Sequence, residues 1–392
     1  MMSAARRVAF LVSVSCLLEG AARRHSEAFV QTGSLPIRRL SKGSPVLAAV
    51  SEAAVAEPNV LERPRWAGGG WLSDLVNAAI KTPAVFSLMK LGARQVLIKT
   101  AEDAGISWSQ RSEALVRKAR ESGYLDSLTD ETVDYPEYYL KEFHAYDSGN
   151  LSWEAAGECE PATFSMSQRV WKKEKMSHAT SHGRLRSTFT DLLVSYLKEK
   201  KVNVKDAVDV GCSVGMSTLA VQEAVRPSRS MHGVDLSPFF LAVAKVREEE
   251  IAERVADTEG KRPGAKAGAN ERVKWRHAKA ESLPFGSKSF DLYTLCFTLH
   301  ELPQEPTREI LREAFRVTRP GGVVALTDND PRSPVIQNLP PPLFSLMKST
   351  EPWSDQYYTF DLEEALREAG FSDVRYVPSD PRHRTVLAQR PK

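Results

Sequence analysis

The chain has 392 residues, 42% of them hydrophobic and 26% charged, with 22 Gly and 23 Pro. At roughly 150 residues per domain this leaves room for two or three folded units, and the composition excludes a disordered, collagen-like or coiled-coil chain. The formal net charge of +3 belongs to the N-terminus: residues 1–50 carry seven Lys/Arg against two acids, leaving 46 basic and 48 acidic residues elsewhere. A nucleic-acid binder keeps its basic excess in the folded part, so no nucleic-acid partner is expected.

In chain order, Arg6-Arg7, an apolar run over residues 8–18 and the small residues Gly20, Ala21 and Ala22 have the layout of a secretory signal. The run is too short for a membrane-spanning helix, which needs about 20 residues; peripheral membrane contact stays open. Residues 28–51 lack acids and carry Arg38, Arg39, Lys42 and several serines, a transit-peptide composition. Together the two tracts resemble the bipartite plastid leaders of algae with secondary plastids, with mitochondrion or secretion as alternatives. Residues 1–58 are therefore read as a removable targeting leader, 59–170 as a helical and aromatic cap, and 171–392 as the main domain.

Helical apolar spacing predicts helices over 71–81 and 84–104, separated by Pro83, and a third over 109–121 capped by Ser107 or Ser109. Residues 135–171 are rich in aromatics and turn formers, with Tyr138, Tyr139 and Tyr146 as either packing or pocket-wall residues and Trp153 as packing. A helix follows over 185–200. From 205 onward strands and helices alternate: strands 207–210, 231–236, 273–278, 290–298 and 323–328, with helices 216–224, 238–255 and 307–317 between them. The Glu248-Glu249-Glu250 run reads as a solvated helix face, and 257–271 as a polar loop. After a Pro-rich stretch a helix over 361–369 leads to closing strands 374–377 and 385–389. Repeated βα units imply a mostly parallel α/β sheet, and the short turn between the last two strands forces them antiparallel.

The first strand runs into Asp209-Val210-Gly211-Cys212-Ser213-Val214-Gly215. Gly211 permits a sharp turn and Gly215 a close helix start. The pattern is neither G-x-G-x-x-G nor a phosphate loop, which disfavours a pyrophosphate ligand. Asp235 closes the second strand, where a carboxylate accepts both hydroxyls of a ribose. Three further blocks follow in order: Ala280-Glu281-Ser282-Leu283-Pro284-Phe285; Phe290-Asp291 with His300-Glu301-Leu302; and Arg316-Val317 with Pro320-Gly321-Gly322.

These five blocks resemble the class I S-adenosylmethionine-dependent methyltransferases of the ubiquinone/menaquinone-type group, over residues 206–390. The N-terminal half, with Glu142-Phe143-His144-Ala145-Tyr146-Asp147, resembles uncharacterised chloroplast methyltransferases of plants and algae. The resemblance implies a Rossmann-like seven-stranded sheet with an antiparallel closing hairpin and S-adenosyl-L-methionine as cofactor. It places Asp209, Gly211, Cys212, Gly215 and Cys296 by the methionine portion, Asp235 on the ribose, Leu236 against the adenine, and Ala280 and Glu281 at its edge. Ser213 stands where the family has a glycine, and Lys279 where it has an aspartate that bonds the adenine amino group.

His300 is the candidate catalytic base, with Glu301 to orient it. The four cysteines, Cys16, Cys159, Cys212 and Cys296, offer no zinc or disulfide spacing. His178 and His182 stand four apart, but Ser181 and Gly183 speak against a helix there, so no metal is expected. Phe344, Leu346 and Met347 read as a lid over an apolar acceptor. The expected function is methyl transfer to a small, aromatic or isoprenoid acceptor in the plastid. The alternatives are a protein or RNA acceptor, or a non-catalytic scaffold. The sequence sets no oligomeric state.

Overall fold

The computed structural model describes residues 98–144, 146–259, 273–339 and 350–392, together with positions 64, 92, 95, 344, 347 and 348. The leader, the first expected helix, most of the second and the centre of the polar loop lie outside these residues. The order after the helical residues 98–103 is α1 (Trp108–Glu121), α2 (Tyr124–Leu128), α3 (Trp153–Val170) and α4 (His178–Glu199). Next come β1 (Asp206–Val210), α5 (Met216–Val225), β2 (Ser230–Asp235), α6 (Pro238–Glu259), β3 (Lys274–His277) and β4 (Phe290–Cys296). A 3-10 turn (Leu299–Glu301), α7 (Gln304–Val317), β5 (Thr318–Asn329), α8 (Pro334–Gln337), α9 (Ser354–Tyr358), α10 (Leu362–Glu368), β6 (Ser372–Pro378) and β7 (His383–Gln389) complete it.

The seven strands lie in the order β3-β2-β1-β4-β5-β7-β6. The first five are parallel, while β7 runs antiparallel between β5 and β6. Every residue of β1 is buried, as both-face burial of a central parallel strand requires. One layer of core joins Val208, Val210, Leu295 and Val324 to α7, α9 and α10, while another joins Ala207, Leu292, Ala325 and Trp275 to α4 and α6.

Several boundaries depart from the periodicity for physical reasons. Helix α3 was masked in sequence by Gly157 and Pro161. A Cβ on Gly157 would meet Val116 of α1 at 2.6 Å, so glycine permits the helices to touch. Pro161 lies four residues on, inside the helix, where its ring removes one ladder bond. Ser152 caps the start, accepting from Ala155 N–H. Helix α4 begins seven residues before the expected start, because Ser177 caps it by accepting from Thr180 N–H at 3.1 Å. His178 and His182 are thus helical after all; they pack on Phe164, and His182 accepts from Arg186 Nε. Strand β5 begins at Thr318, and a bulge at Phe290/Leu292 absorbs the Gly321-Gly322 turn.

The acidic run of α6 is not a solvated face. Glu248 accepts from Val273 N–H and Trp275 Nε1–H at 2.7 and 3.0 Å, and Glu249 from the Tyr124 hydroxyl. Glu250 pairs with Arg111 and Lys118 of α1 at 2.8 and 2.6 Å. Beside it, Glu160 of α3 holds both Arg111 and Arg247, at 3.0 and 2.5 Å. This chain of carboxylates and guanidinia docks the cap on the sheet domain. Breaking a buried pair from one side strands the other charge, at a cost of about 3–5 kcal/mol. Glu160→Ala should therefore lower stability by about 3 kcal/mol in denaturant melts; a loss below about 1 kcal/mol would show that the cap is held by its apolar contacts alone.

Candidate functional site

The site grows from the carboxyl ends of β1, β2 and β4. Asp209, fully buried, accepts from the hydroxyls of Ser217 and Thr218 at the start of α5 and of Thr294 in β4, at 2.8, 2.7 and 2.6 Å. Burial raises its pKa against those hydrogen bonds. Its carboxylate thus knits the loop to the sheet. The loop turns through three left-handed residues, Gly211 (φ +64°), Ser213 (φ +50°) and Gly215 (φ +77°). A Cβ on Gly211 would lie 2.5 Å from Thr298 Oγ1, and one on Gly215 2.6 Å from the Trp275 ring, so both glycines are required by space and by conformation.

Ser213 fits with its side chain intact because its Oγ meets Cys159 Sγ of α3 at 3.2 Å. Its N–H donates to Asp235 Oδ2 at 2.7 Å, and Ser237 N–H donates to Oδ1 at 2.8 Å. An ionised carboxylate has about four acceptor positions, so Asp235 keeps capacity for further donors. Burial raises Asp235 to about 6, against the two backbone N–H groups. Leu236 is buried beside it. Cys212 and Cys296 are buried too, and burial pushes both thiols well above their usual value, so neither is a thiolate nucleophile.

Ala280 packs on the core edge, and Glu281 accepts from the hydroxyl of Tyr138. Tyr138, Glu281 and Lys279 line an open groove of about 680 Å³ with Pro306, Glu309 and Arg312. Tyr139 has its hydroxyl pKa raised by burial and then by Asp235 and Glu301, which sets it at the crevice. Tyr146 instead bonds Glu158 at 2.6 Å, and Trp153 packs edge-on to Phe239 at 5.2 Å. Asn150 reaches across the strand tips: its carbonyl accepts from Ser237 Oγ at 2.7 Å and its amide donates to Glu301 Oε2 at 2.9 Å.

His300 is oriented by Asp328 of β5, not by Glu301. Its Nδ1 lies 2.8 Å from Asp328 Oδ1, and its backbone N–H donates to Oδ2 at 3.2 Å. Burial opposes a charge on the ring, but Asp328 outweighs it and holds His300 at about 10. Tyr357 stands edge-on to the ring at 6.3 Å, and the His144 ring lies 6.2 Å away. Phe344, expected in a lid, is 2% exposed and belongs to the main core, with Met347 packed against it; Leu346 lies outside the described residues.

Sequence reasoning missed Arg186 of α4. This half-buried guanidinium stacks over Phe297 at 5.6 Å, and its charge is felt by Asp209 and Cys296. Among the described residues no carboxylate forms an ion pair with it. An amphipathic helix gives no sign of which arginine turns inward; only the fold reveals it. Asp235 with spare acceptor capacity and Arg186 without a carboxylate partner fit a ligand bearing a ribose and a carboxylate, as S-adenosylmethionine does.

A methyltransferase domain family profile matches residues 208–326. Demethylmenaquinone methyltransferase of Geobacillus stearothermophilus is 34% identical over 199 residues, 46% of this chain and 77% of that protein. That of Geobacillus sp. (strain WCH70) is 32% identical over 197 residues, 45% of this chain and 75% of that protein. Among solved structures, the S-adenosylmethionine-dependent methyltransferase SibL in its apo form aligns at TM-score 0.42 and 20% identity, covering 76% of this chain and 75% of that chain, a likeness too low to add to the assignment. With such relatives matched over three quarters of their length, this chain belongs to the class I S-adenosylmethionine-dependent methyltransferases.

Proposed function

We propose that the protein methylates a small acceptor, aromatic or isoprenoid, in the plastid, and that the reacting atom of the acceptor lies beside His300. The observation that carries this reading is the ring of His300, 8% exposed and fixed by Asp328 where β4 and β5 end, next to the loop that fits the cofactor. Bound there, the cofactor supplies a methyl group already activated as a sulfonium, so the chain has to align and to exclude water. Asp235 would hold the ribose and Arg186 the carboxylate, with Gly211 and Gly215 letting the backbone approach. Tyr139 and Asn150 roof the cofactor end of the crevice from the cap, and His144 stands at the acceptor end beside His300. The names of the curated relatives support a small acceptor, the composition of the folded part argues against RNA, and the leader composition supports the plastid.

Three measurements test the assignment. Because burial pushes the Asp235 carboxyl up to about 6, affinity for S-adenosylmethionine should be level above pH 7 and fall as acidification protonates the carboxylate; affinity that stays constant down to pH 5 would remove Asp235 from the ribose. The same raised pKa makes the stability contributed by this group full below its ordinary value of 3.8 and lost as pH rises through about 6, so the ionised acceptor is held at a cost to the fold.

Charged hydrogen bonds are worth about 1.5–3 kcal/mol, so Arg186→Met should weaken S-adenosylmethionine binding roughly tenfold to a hundredfold. It should leave 5′-methylthioadenosine, which lacks the carboxylate, unaffected. Equal losses for both ligands would contradict the role. His300→Asn keeps a donor for Asp328 and should lower kcat at least about a hundredfold with cofactor affinity intact. Labelled methyl donor offered with aromatic and quinol acceptors supplies the readout, and an unchanged kcat would remove His300 from the reaction.

A further inference from the structure

His144, His300 and Glu351 come from three separate parts of the chain: the cap loop, the turn after β4, and the segment before α9. Each offers one ligand atom, and these atoms all lie within 4.8 Å of one another. We propose that these three side chains form a binding site for a divalent transition-metal ion on the acceptor side of the crevice. The inference rests on reading this pocket as the acceptor's, and it says what His300 presents there: it acts on the acceptor through the ion.

Three features of the surroundings point to a metal rather than to a chance meeting of polar groups. The Nδ1 of His300 is committed to Asp328 at 2.8 Å, which leaves Nε2 as its ligand atom. A carboxylate behind a metal-bound imidazole is the usual way to fix its tautomer and raise its basicity. Glu301 Oε1 stands 4.0 Å from His144 Nδ1, beyond hydrogen-bond reach but near enough for its charge to favour a bound cation. Glu351 Oε2 is buried and has no hydrogen-bond partner among the described residues, a costly arrangement for a carboxylate unless a cation meets it. The charges of His300 and then of Arg382 reach Glu351, but neither bonds its Oε2, and the Nε of Arg382 is itself buried without a hydrogen-bond partner among the described residues.

The backbone is also arranged for the purpose. His144 is held in the left-handed region at φ +49°, and its N–H donates to Thr350 O at 2.9 Å, which ties the cap loop to the residue beside Glu351. Strained backbone of this kind persists where surrounding structure imposes it, and it gathers at ligand sites.

Two imidazoles and one carboxylate suit zinc and its neighbours in the first row, not magnesium or calcium, which prefer oxygen alone. A tetrahedral ion with bonds of about 2.0–2.1 Å holds its ligands about 3.4 Å apart, so side-chain rotation of about 1 Å closes the site. Three protein ligands leave a coordination position open, as catalytic rather than structural sites do, and a hydroxyl oxygen of the acceptor fits it. His144, whose side chain is 40% exposed, stands at the rim and gives the ion its way in.

The test is titration of chelator-stripped protein with zinc chloride by calorimetry, and with cobalt(II) by visible absorption, both without acceptor. The result expected is one equivalent bound, with the intense bands of a four-coordinate cobalt site. His144→Asn, which tolerates the left-handed backbone, and Glu351→Gln should each lose that equivalent while binding S-adenosylmethionine as before. Asp328→Asn should weaken the metal by roughly 10–100-fold, as loss of a supporting carboxylate does. No stoichiometric uptake, or uptake that survives in both ligand variants, overturns the inference. Because metal uptake is read in the absence of methyl transfer, its outcome is separate from that of the His300→Asn kinetics.

Discussion

A carboxylate sealed inside the sheet sets everything around the crevice. Asp209 has no water to solvate it, so it draws the hydroxyls of Ser217, Thr218 and Thr294 onto itself and fastens β1 to both α5 and β4. With the ends of that loop pinned, the chain from Gly211 to Gly215 has to turn within a few residues, and it does so through left-handed conformations. The turn in its course points Ser213 N–H at Asp235, which fixes the second carboxylate at the tip of β2. Geometry passes from a fully buried carboxylate to one at the strand tip.

The cap is as much part of the site as the sheet. It contributes Tyr139 and Asn150 over the crevice, Cys159 under Ser213, and His144 beside His300. Its attachment is ionic as well as apolar: Arg111, Glu160, Arg247 and Glu250 make a partly buried relay that ends on the carbonyl of Val214, inside the loop after β1, through Arg247 at 2.6 Å. Helix α4 then carries Arg186 to the side of the crevice that Cys296 occupies.

Much of this was legible beforehand, and what was hidden was hidden for reasons of chemistry. The sheet could be read because parallel strands are apolar on both faces and because the turn from Pro378 to His383 is too short for a crossover. The place of Asp235 at the end of the second strand could be read, because the apolar strand before it stops there. Helix α3 could not, since Gly157 and Pro161 look like breakers until the neighbouring helix explains the glycine. The acids of α6 looked solvated because nothing local shows that Arg111, Lys118 and Val273 N–H will arrive. Asp328 was expected to close the fifth strand, and it lies in that strand, but nothing in the sequence shows its side chain turning to His300. Partners supplied by distant segments leave no periodic trace, and that is why Arg186, His144 and Glu351 emerge only in three dimensions.

Asn150 joins the two halves of the crevice through one side chain and one carbonyl, Ser237 on one bank and Glu301 on the other. Anything that shifts the turn after β2 therefore tugs on the turn after β4. Were ligands to bind on both banks, linkage would make any influence between them mutual. Asn150, itself buried, is thus the common anchor of the two turns that border the crevice.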